Sequence, residues 1–428
     1  MAHKDELVDH LTFSVETYLD QITKYDHAIH AWVAVDAAGA LEGMRLGGMT
    51  LGNAAGEKHR PAMPLSGVTL GIKDIIDVAG FPMRAGSLFT SDVIITKDAP
   101  LVAKLRAAGA IIVGKTVTTE FAYLDPPATC NPWNLNRTPG GSSSGSAAAV
   151  AAGMCRAAIG TQTGGSVLRP AAFCGVVGFK PTFGWSSTEG IVPLSPSLDH
   201  VGIFARNVSD VAMIYQAVVA SEFSLELQPP RIGAVGGCFE MESSTDVQQV
   251  ASQAIATLKA CKATVLPLEL PDIFSTVHGH HLRIMAYEAA RTHQERYEQH
   301  REQLGPKIRE LIEQGRMISV ADYNAALRHR AEFQAAMSEV FANHNCVLIM
   351  PSAPTTAPTR ETTGSPRFNS PWSYAGLPAI SIPCGLAADG MPVGLQLVAE
   401  LNEERKLLDA AAWCERVLKF TNVPKLME

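Results

Sequence analysis

Apolar positions in residues 5–24 recur every three or four places, at Leu7, Leu11, Val15, Leu19 and Ile22. That spacing stacks them on one face of a 3.6-residue helix, so the segment predicts an amphipathic helix. The pattern then changes. Residues 67–72, Gly-Val-Thr-Leu-Gly-Ile, read as a buried strand with Lys73 at its end. Asp98 reads as a helix N-cap, Leu101, Val102 and Leu105 as the inward face of that helix, and Gly109 as its stop. Residues 110–113, Ala-Ile-Ile-Val, read as a further strand. Strand, helix and strand in that order predict parallel pairing through a right-handed crossover.

A second unit of the same kind begins near residue 231. Arg-Ile-Gly-Ala-Val reads as a strand, 246–261 as a helix started by Ser244, and Ala-Thr-Val-Leu-Pro-Leu at 263–268 as a strand. Between the two units, residues 138–166 hold two Gly/Ser-rich loops flanking an Ala-rich helix candidate at 146–153. Residues 280–340 carry Arg, Glu, Gln and His throughout and read as surface helices packed on the core. Residues 347–350 and 379–384 are apolar strand candidates. With no internal repeat and no long linker, residues 1–428 read as a single domain.

Composition narrows the class. Apolar residues make up 46 % of the 428 and charged residues 18 %, enough for a large core and too few charges for a disordered chain. A formal net charge of −7 speaks against nucleic acid or an anionic membrane as partner. The cysteines are scattered, with no C-x-x-C pair, and read as reduced, mostly buried thiols of a cytoplasmic protein. The N-terminal residues carry no apolar signal core, and Lys4-Asp5-Glu6-Leu7 is not C-terminal and so is no retention address.

The chemistry concentrates in four segments: Gly71–Asp74 (GIKD), Thr138–Gly153 (TPGGSSSGSAAAVAAG), Gly160–Gly175 (GTQTGGSVLRPAAFCG) and Gly376–Gly385 (GLPAISIPCG). Glycine lets a backbone present N–H groups closely to a ligand, and Thr163-Gly164-Gly165-Ser166 can point several at one spot, as an oxyanion hole requires. A serine hydroxyl needs a base. No His or Asp lies near these loops in a triad pattern, but a lysine can serve if burial strips its proton. Lys73, between a buried strand and Ile75-Ile76, fits that need, provided that Asp74 points away. Taken singly, each residue has an ordinary reading: a strand-end lysine as a solvated cap, Gly/Ser stretches as loops. A phosphate loop is excluded because GGSSSGS lacks the following lysine. His278, His280 and His281 read as a polar helix surface rather than a metal site, and His27 and His30 have no support as ligands.

Together the four segments, in their order and spacing, resemble the amidase signature family. Lys73 and Ser142 lie 69 residues apart, Ser142 and Ser166 24 apart, and the resemblance runs over nearly the whole chain. It implies an α/β fold with a large mixed, mostly parallel central sheet covered by helices on both faces. It implies an amidohydrolase without metal or other cofactor. Ser166 would be the nucleophile, Ser142 a proton relay preceded by a cis peptide, Lys73 the base, and the N–H groups of Thr163, Gly164 and Gly165 the oxyanion hole. The variable part, 270–345, would shape the pocket.

One departure bears on substrate. The family's commoner loop reads T-D-T-G-G-S-I-R; here Gln162 replaces the acid and the arginine moves to Arg169. This form resembles malonamidase-type enzymes, which implies that Arg169 binds a substrate carboxylate; the alternative is a structural role, as a helix cap or paired with Asp199. The expected partner is a small amide, and a homodimer is open. Competing readings are the A subunit of a tRNA-dependent amidotransferase, a hydrolase of carbamates or biuret-like ureas, and a non-catalytic anion binder.

Overall fold

The computed structural model describes residues 14–52, 63–90 and 93–427. Eleven strands among them form one sheet: β1 Trp32–Val35, β2 Thr69–Lys73, β3 Ile111–Thr116, β4 Ala157–Gln162, β5 Val177–Lys180, β6 His200–Ala205, β7 Arg231–Val235, β8 Thr264–Leu268, β9 Val347–Pro351, β10 Ala379–Leu386 and β11 Pro392–Val398. Their order is β1-β3-β2-β4-β6-β5-β10-β11-β9-β7-β8. Both units expected from the apolar pattern are present: β2 pairs in parallel with β3, and β7 with β8.

The sheet is mixed, as expected, but not mostly parallel. Parallel pairing is confined to β3-β2-β4 and β8-β7-β9, and the remaining pairings, including all those of β5, β6, β10 and β11, are antiparallel. Short apolar runs mark strands buried on both faces but do not encode the direction of the neighbour.

Alternation along each strand feeds separate cores. Ala157 and Ile159 of β4, with Val347 and Ile349 of β9, pack into a cluster shared with helices Pro100–Ala107, Val208–Val219, Thr245–Ala260 and Glu404–Leu418. Ala158 faces a second cluster around helix Ser144–Ala151. Leu348 and Met350 face a third, with helices Val277–Thr292 and Val320–His344. The sheet is therefore covered on both sides.

Several local expectations hold and two do not. The Ala-rich helix starts at Ser144, two residues before the expected 146, and Ser244 caps Thr245–Ala260 as read, accepting from Val247 N–H. The N-terminal helix is Val15–Ile29, capped by Ser14; residues 5–13 lie outside the described residues. Asp98 is not an N-cap. Helix Pro100–Ala107 starts from Ala99 with Pro100 in its first turn, where a missing N–H costs nothing, while Asp98 accepts from Ala79 N–H and pairs with Arg106 at 3.0 Å. The helices of 280–340 are less superficial than their composition suggests: Ile308, Leu311, Ile312, Phe333 and Met337 are buried in the core.

Candidate active site

The end of strand β2 delivers Lys73 into the interior, where its side chain is fully buried. Its Nζ lies 2.7 Å from Ser142 Oγ and 2.8 Å from Thr161 Oγ1. Burial drives the ammonium well below its ordinary value, with the carboxylate of Asp199 as the opposing influence. Asp74 points elsewhere, as the apolar pattern requires: it pairs with Lys115 at 2.9 Å. Thr161 carried no mark in the sequence, since a threonine inside a strand reads as ordinary strand chemistry. It sits in β4, and the parallel pairing of β2 with β4 brings it beside Lys73.

Ser142 follows a cis peptide bond, Gly141–Ser142. The serine run around it is pinned rather than loose. Ser144 Oγ donates to Gly140 O at 2.7 Å, Ser143 Oγ to Thr161 O at 3.1 Å, and Ser146 Oγ to Ile159 O at 3.1 Å. A Cβ on Gly141 would come within 2.7 Å of Thr363 Cγ2, so that approach needs glycine. Exposure rises along the expected relay, from 0 % for Lys73 to 1 % for Ser142 and 8 % for Ser166. Lys73 is thus the most deeply buried of the three and Ser166 the nearest to solvent.

Ser166 lies between the end of β4 and helix Leu168–Cys174. The loop before it is held from several sides. Thr163 Oγ1 donates to Asp199 Oδ1 at 2.5 Å, and Asp199 also accepts from the N–H groups of Leu194 and Ser195. Burial pushes that carboxyl up to about 6. Thr163 O accepts from His281 Nε2 at 3.0 Å, and Gly164 O from Ser373 Oγ at 2.8 Å. Gln162 Oε1 accepts from the N–H groups of Val167 (2.8 Å) and Leu168 (3.0 Å), satisfying donors at the start of the helix.

Arg169 is fully buried behind this loop. Nε donates to Thr363 O at 2.8 Å and Nη2 to Gly141 O at 2.6 Å, while Nη1 has no hydrogen-bond partner among the described residues. Burial lowers the guanidinium to about 9. It does not pair with Asp199, which is engaged by Thr163, Leu194 and Ser195. Gly165 leaves room for that group against the loop: a Cβ there would lie 3.0 Å from Nη1 and 2.7 Å from Asn369 Oδ1.

The reading of His278, His280 and His281 as a polar helix surface is corrected for His281. It is 5 % exposed, because helix Val277–Thr292 packs against the Thr163–Ser166 loop, a contact that lies 118 residues away in sequence. His278 bonds to Ser370 at 3.2 Å and His280 stacks on His329. No group of three or more His, Cys, Asp or Glu among the described residues is placed to hold a metal ion. No helix among them is long and apolar enough to cross a membrane. The seven cysteines with described side chains are free thiols.

The structure thus brings a buried lysine and a serine hydroxyl together at 2.7 Å, and sets Ser166 just past the end of the strand that carries Thr161. Residues 14–408 match the family model described as Amidase, and the chain belongs to the amidase signature family. The A subunit of the glutamyl-tRNA(Gln) amidotransferase of Prochlorococcus marinus (strain NATL2A) is 33 % identical over 425 aligned positions, covering 86 % of both chains. A crystal structure of an amidase superposes with a TM-score of 0.85 at 30 % identity, over 94 % of this chain and 95 % of that one. The peptide amidase of Stenotrophomonas maltophilia superposes at 0.80 and 27 %, over 97 % and 95 %.

Proposed function

We propose that the chain hydrolyses the C–N bond of a small carboxamide through an acyl-enzyme on Ser166. The observation that carries this is the pairing of a desolvated Lys73 with the Ser142 hydroxyl at 2.7 Å. A neutral amine has two protons and one lone pair, so it can donate to Thr161 and accept from Ser142. Lys73 takes the proton of Ser142 as Ser142 takes that of Ser166. Ser166 Oγ attacks the carbonyl carbon, and N–H groups of Thr163, Gly164 and Gly165 receive the developing oxyanion. The C–N bond breaks, the nitrogen leaves with the proton returned along the relay, and water hydrolyses the ester to release the acid. Residues 270–345 shape the pocket; the reach of His281 to Thr163 supports this. The free thiols fit a reducing cytoplasm.

A fluorophosphonate probe followed by mass spectrometry tests the assignment, alongside hydrolysis of a panel of half-amides, aryl amides, ureas and carbamates. The label is expected on Ser166 and lost in Ser166→Ala. Labelling elsewhere, or Ser166→Ala keeping more than about a hundredth of the activity, would refute it.

The finer reading is that the substrate bears a carboxylate, as a malonamate does, held by Arg169. Its support is a guanidinium that, among the described residues, has no acid partner and leaves Nη1 without a hydrogen bond beside Gly165. Arg169→Leu is expected to lose about 30- to 1000-fold in kcat/KM on an acidic half-amide beyond its loss on a neutral amide of similar size. Equal losses on both would assign Arg169 to holding Gly141 O. A second reading, the A subunit of an amidotransferase, is favoured by the 33 % identity to such a protein. It requires a partner protein, so amide turnover by the isolated chain decides between the two.

A further inference from the structure

Three side chains from distant parts of the chain converge on the carbonyl side of the nucleophile loop. Gln162 and Ser373 are fully buried and His281 nearly so. We propose that Gln162, Ser373 and His281 are positioning residues whose hydrogen bonds aim the Gly164 and Gly165 N–H groups at the oxyanion; the proposal rests on the acyl-enzyme reading above.

The proton positions follow from the partners. Gln162 accepts two backbone N–H bonds, so the atom facing Val167 and Leu168 is its oxygen. Its Nε2 therefore donates to Ser373 Oγ at 2.9 Å, and the single hydroxyl proton of Ser373 is left to donate to Gly164 O at 2.8 Å. At Thr163, a carbonyl can only accept, so Nε2 of His281 carries the proton. Burial lowers His281 to about 4, which keeps the ring a neutral donor at ordinary pH.

In a trans peptide the C=O and N–H point in opposite directions. Fixing Thr163 O on His281 turns the Gly164 N–H to the other side of the loop, and fixing Gly164 O on Ser373 does the same for the Gly165 N–H. Two glycines have little backbone stiffness of their own, so the anchors supply it. This gives a reason for an amide at position 162. A carboxylate there would accept the two backbone bonds equally well, but it would also take the Ser373 proton and leave Gly164 O without its donor. The departure from the commoner acidic loop is thereby tied to the direction of the oxyanion donors.

Donors aimed at an oxyanion act chiefly in the transition state, so their misalignment lowers kcat more than it raises KM. Gln162→Glu keeps size and shape and reverses one bond. It is expected to lower kcat, and the rate of Ser166 labelling by the fluorophosphonate, about tenfold to a hundredfold with KM nearly unchanged. His281→Leu is expected to do the same. His281→Gln, whose amide nitrogen reaches about as far as Nε2, is expected to restore most of the loss, which separates a missing donor from lost packing. If Gln162→Glu does not fold, the Leu and Gln variants of His281 carry the test. An active wild type with unchanged kcat in these variants, or a His281→Gln no better than His281→Leu, would overturn the scaffold alone. A wild type that hydrolyses no amide and takes no label on Ser166 would instead overturn the acyl-enzyme reading.

Discussion

Two lysines stand on neighbouring strands of the same parallel ladder, Lys73 on β2 and Lys115 on β3, and both side chains are fully buried. Burial lowers the ammonium of each below its ordinary value. What separates them is the group in contact. Lys115 meets the carboxylate of Asp74 at 2.9 Å, which holds its charge in place. Lys73 meets two hydroxyls, at 2.7 and 2.8 Å, and a carboxylate acts on it only from beyond contact. Burial works against the charge of both, but at Lys115 a contacting carboxylate opposes its loss, whereas the hydroxyl partners of Lys73 carry no such charge.

The contrast is broken most severely at Lys73. Lys73→Ala is expected to reduce amide turnover and fluorophosphonate labelling of Ser166 by at least about a hundredfold, with the fold retained by circular dichroism. At Lys115 the expected loss is in stability. Lys115→Met strands the Asp74 carboxylate in the interior and is expected to cost about 3–5 kcal/mol in urea unfolding, while the folded fraction keeps the ability to label Ser166. Lys115→Met with Asp74→Asn is expected to recover much of that loss. A smaller effect is expected at Thr161. Its hydroxyl oxygen accepts from Lys73, a bond stronger to the ammonium than to the amine. Thr161→Val therefore favours the neutral form, moving the rise of activity to lower pH, with a change in maximal rate within about tenfold. A shift to higher pH would mean that Thr161 stabilises the amine instead.

Nothing in the sequence around Lys115 distinguishes Lys73 from it, since both end apolar strand runs; the difference came from the motif order shared with a family. Lys73, Ser142 and Ser166 were legible as candidates because they sit in short glycine-bearing segments whose backbone can approach a ligand closely. The residues that support them were not. His281, Ser373, Asn369 and Asp199 lie in helices and loops of ordinary composition, and only tertiary packing brings them to the Thr163–Ser166 loop. The same limit applied to the fold. Parallel units at 67–113 and 231–268 carried their own order of strand, helix and strand, whereas the antiparallel middle, β6-β5-β10-β11, depends on which strands meet across long connections. Asp98 shows the limit at the scale of one residue: an acid before a helix reads as a cap, yet its carboxylate is drawn to Ala79 and Arg106.

The central claim is that Lys73 works as a neutral base, and the pH dependence of Ser166 labelling by a fluorophosphonate tests it without a known substrate. A lowered lysine pKa means that the reactive, deprotonated form accumulates earlier as pH rises. The labelling rate is therefore predicted to climb and level off with a midpoint well below the free-lysine value of about 10.4, and Lys73→Ala to lose that rise together with most of the rate. A midpoint at the free-lysine value, or the same rise persisting in Lys73→Ala, would contradict the account.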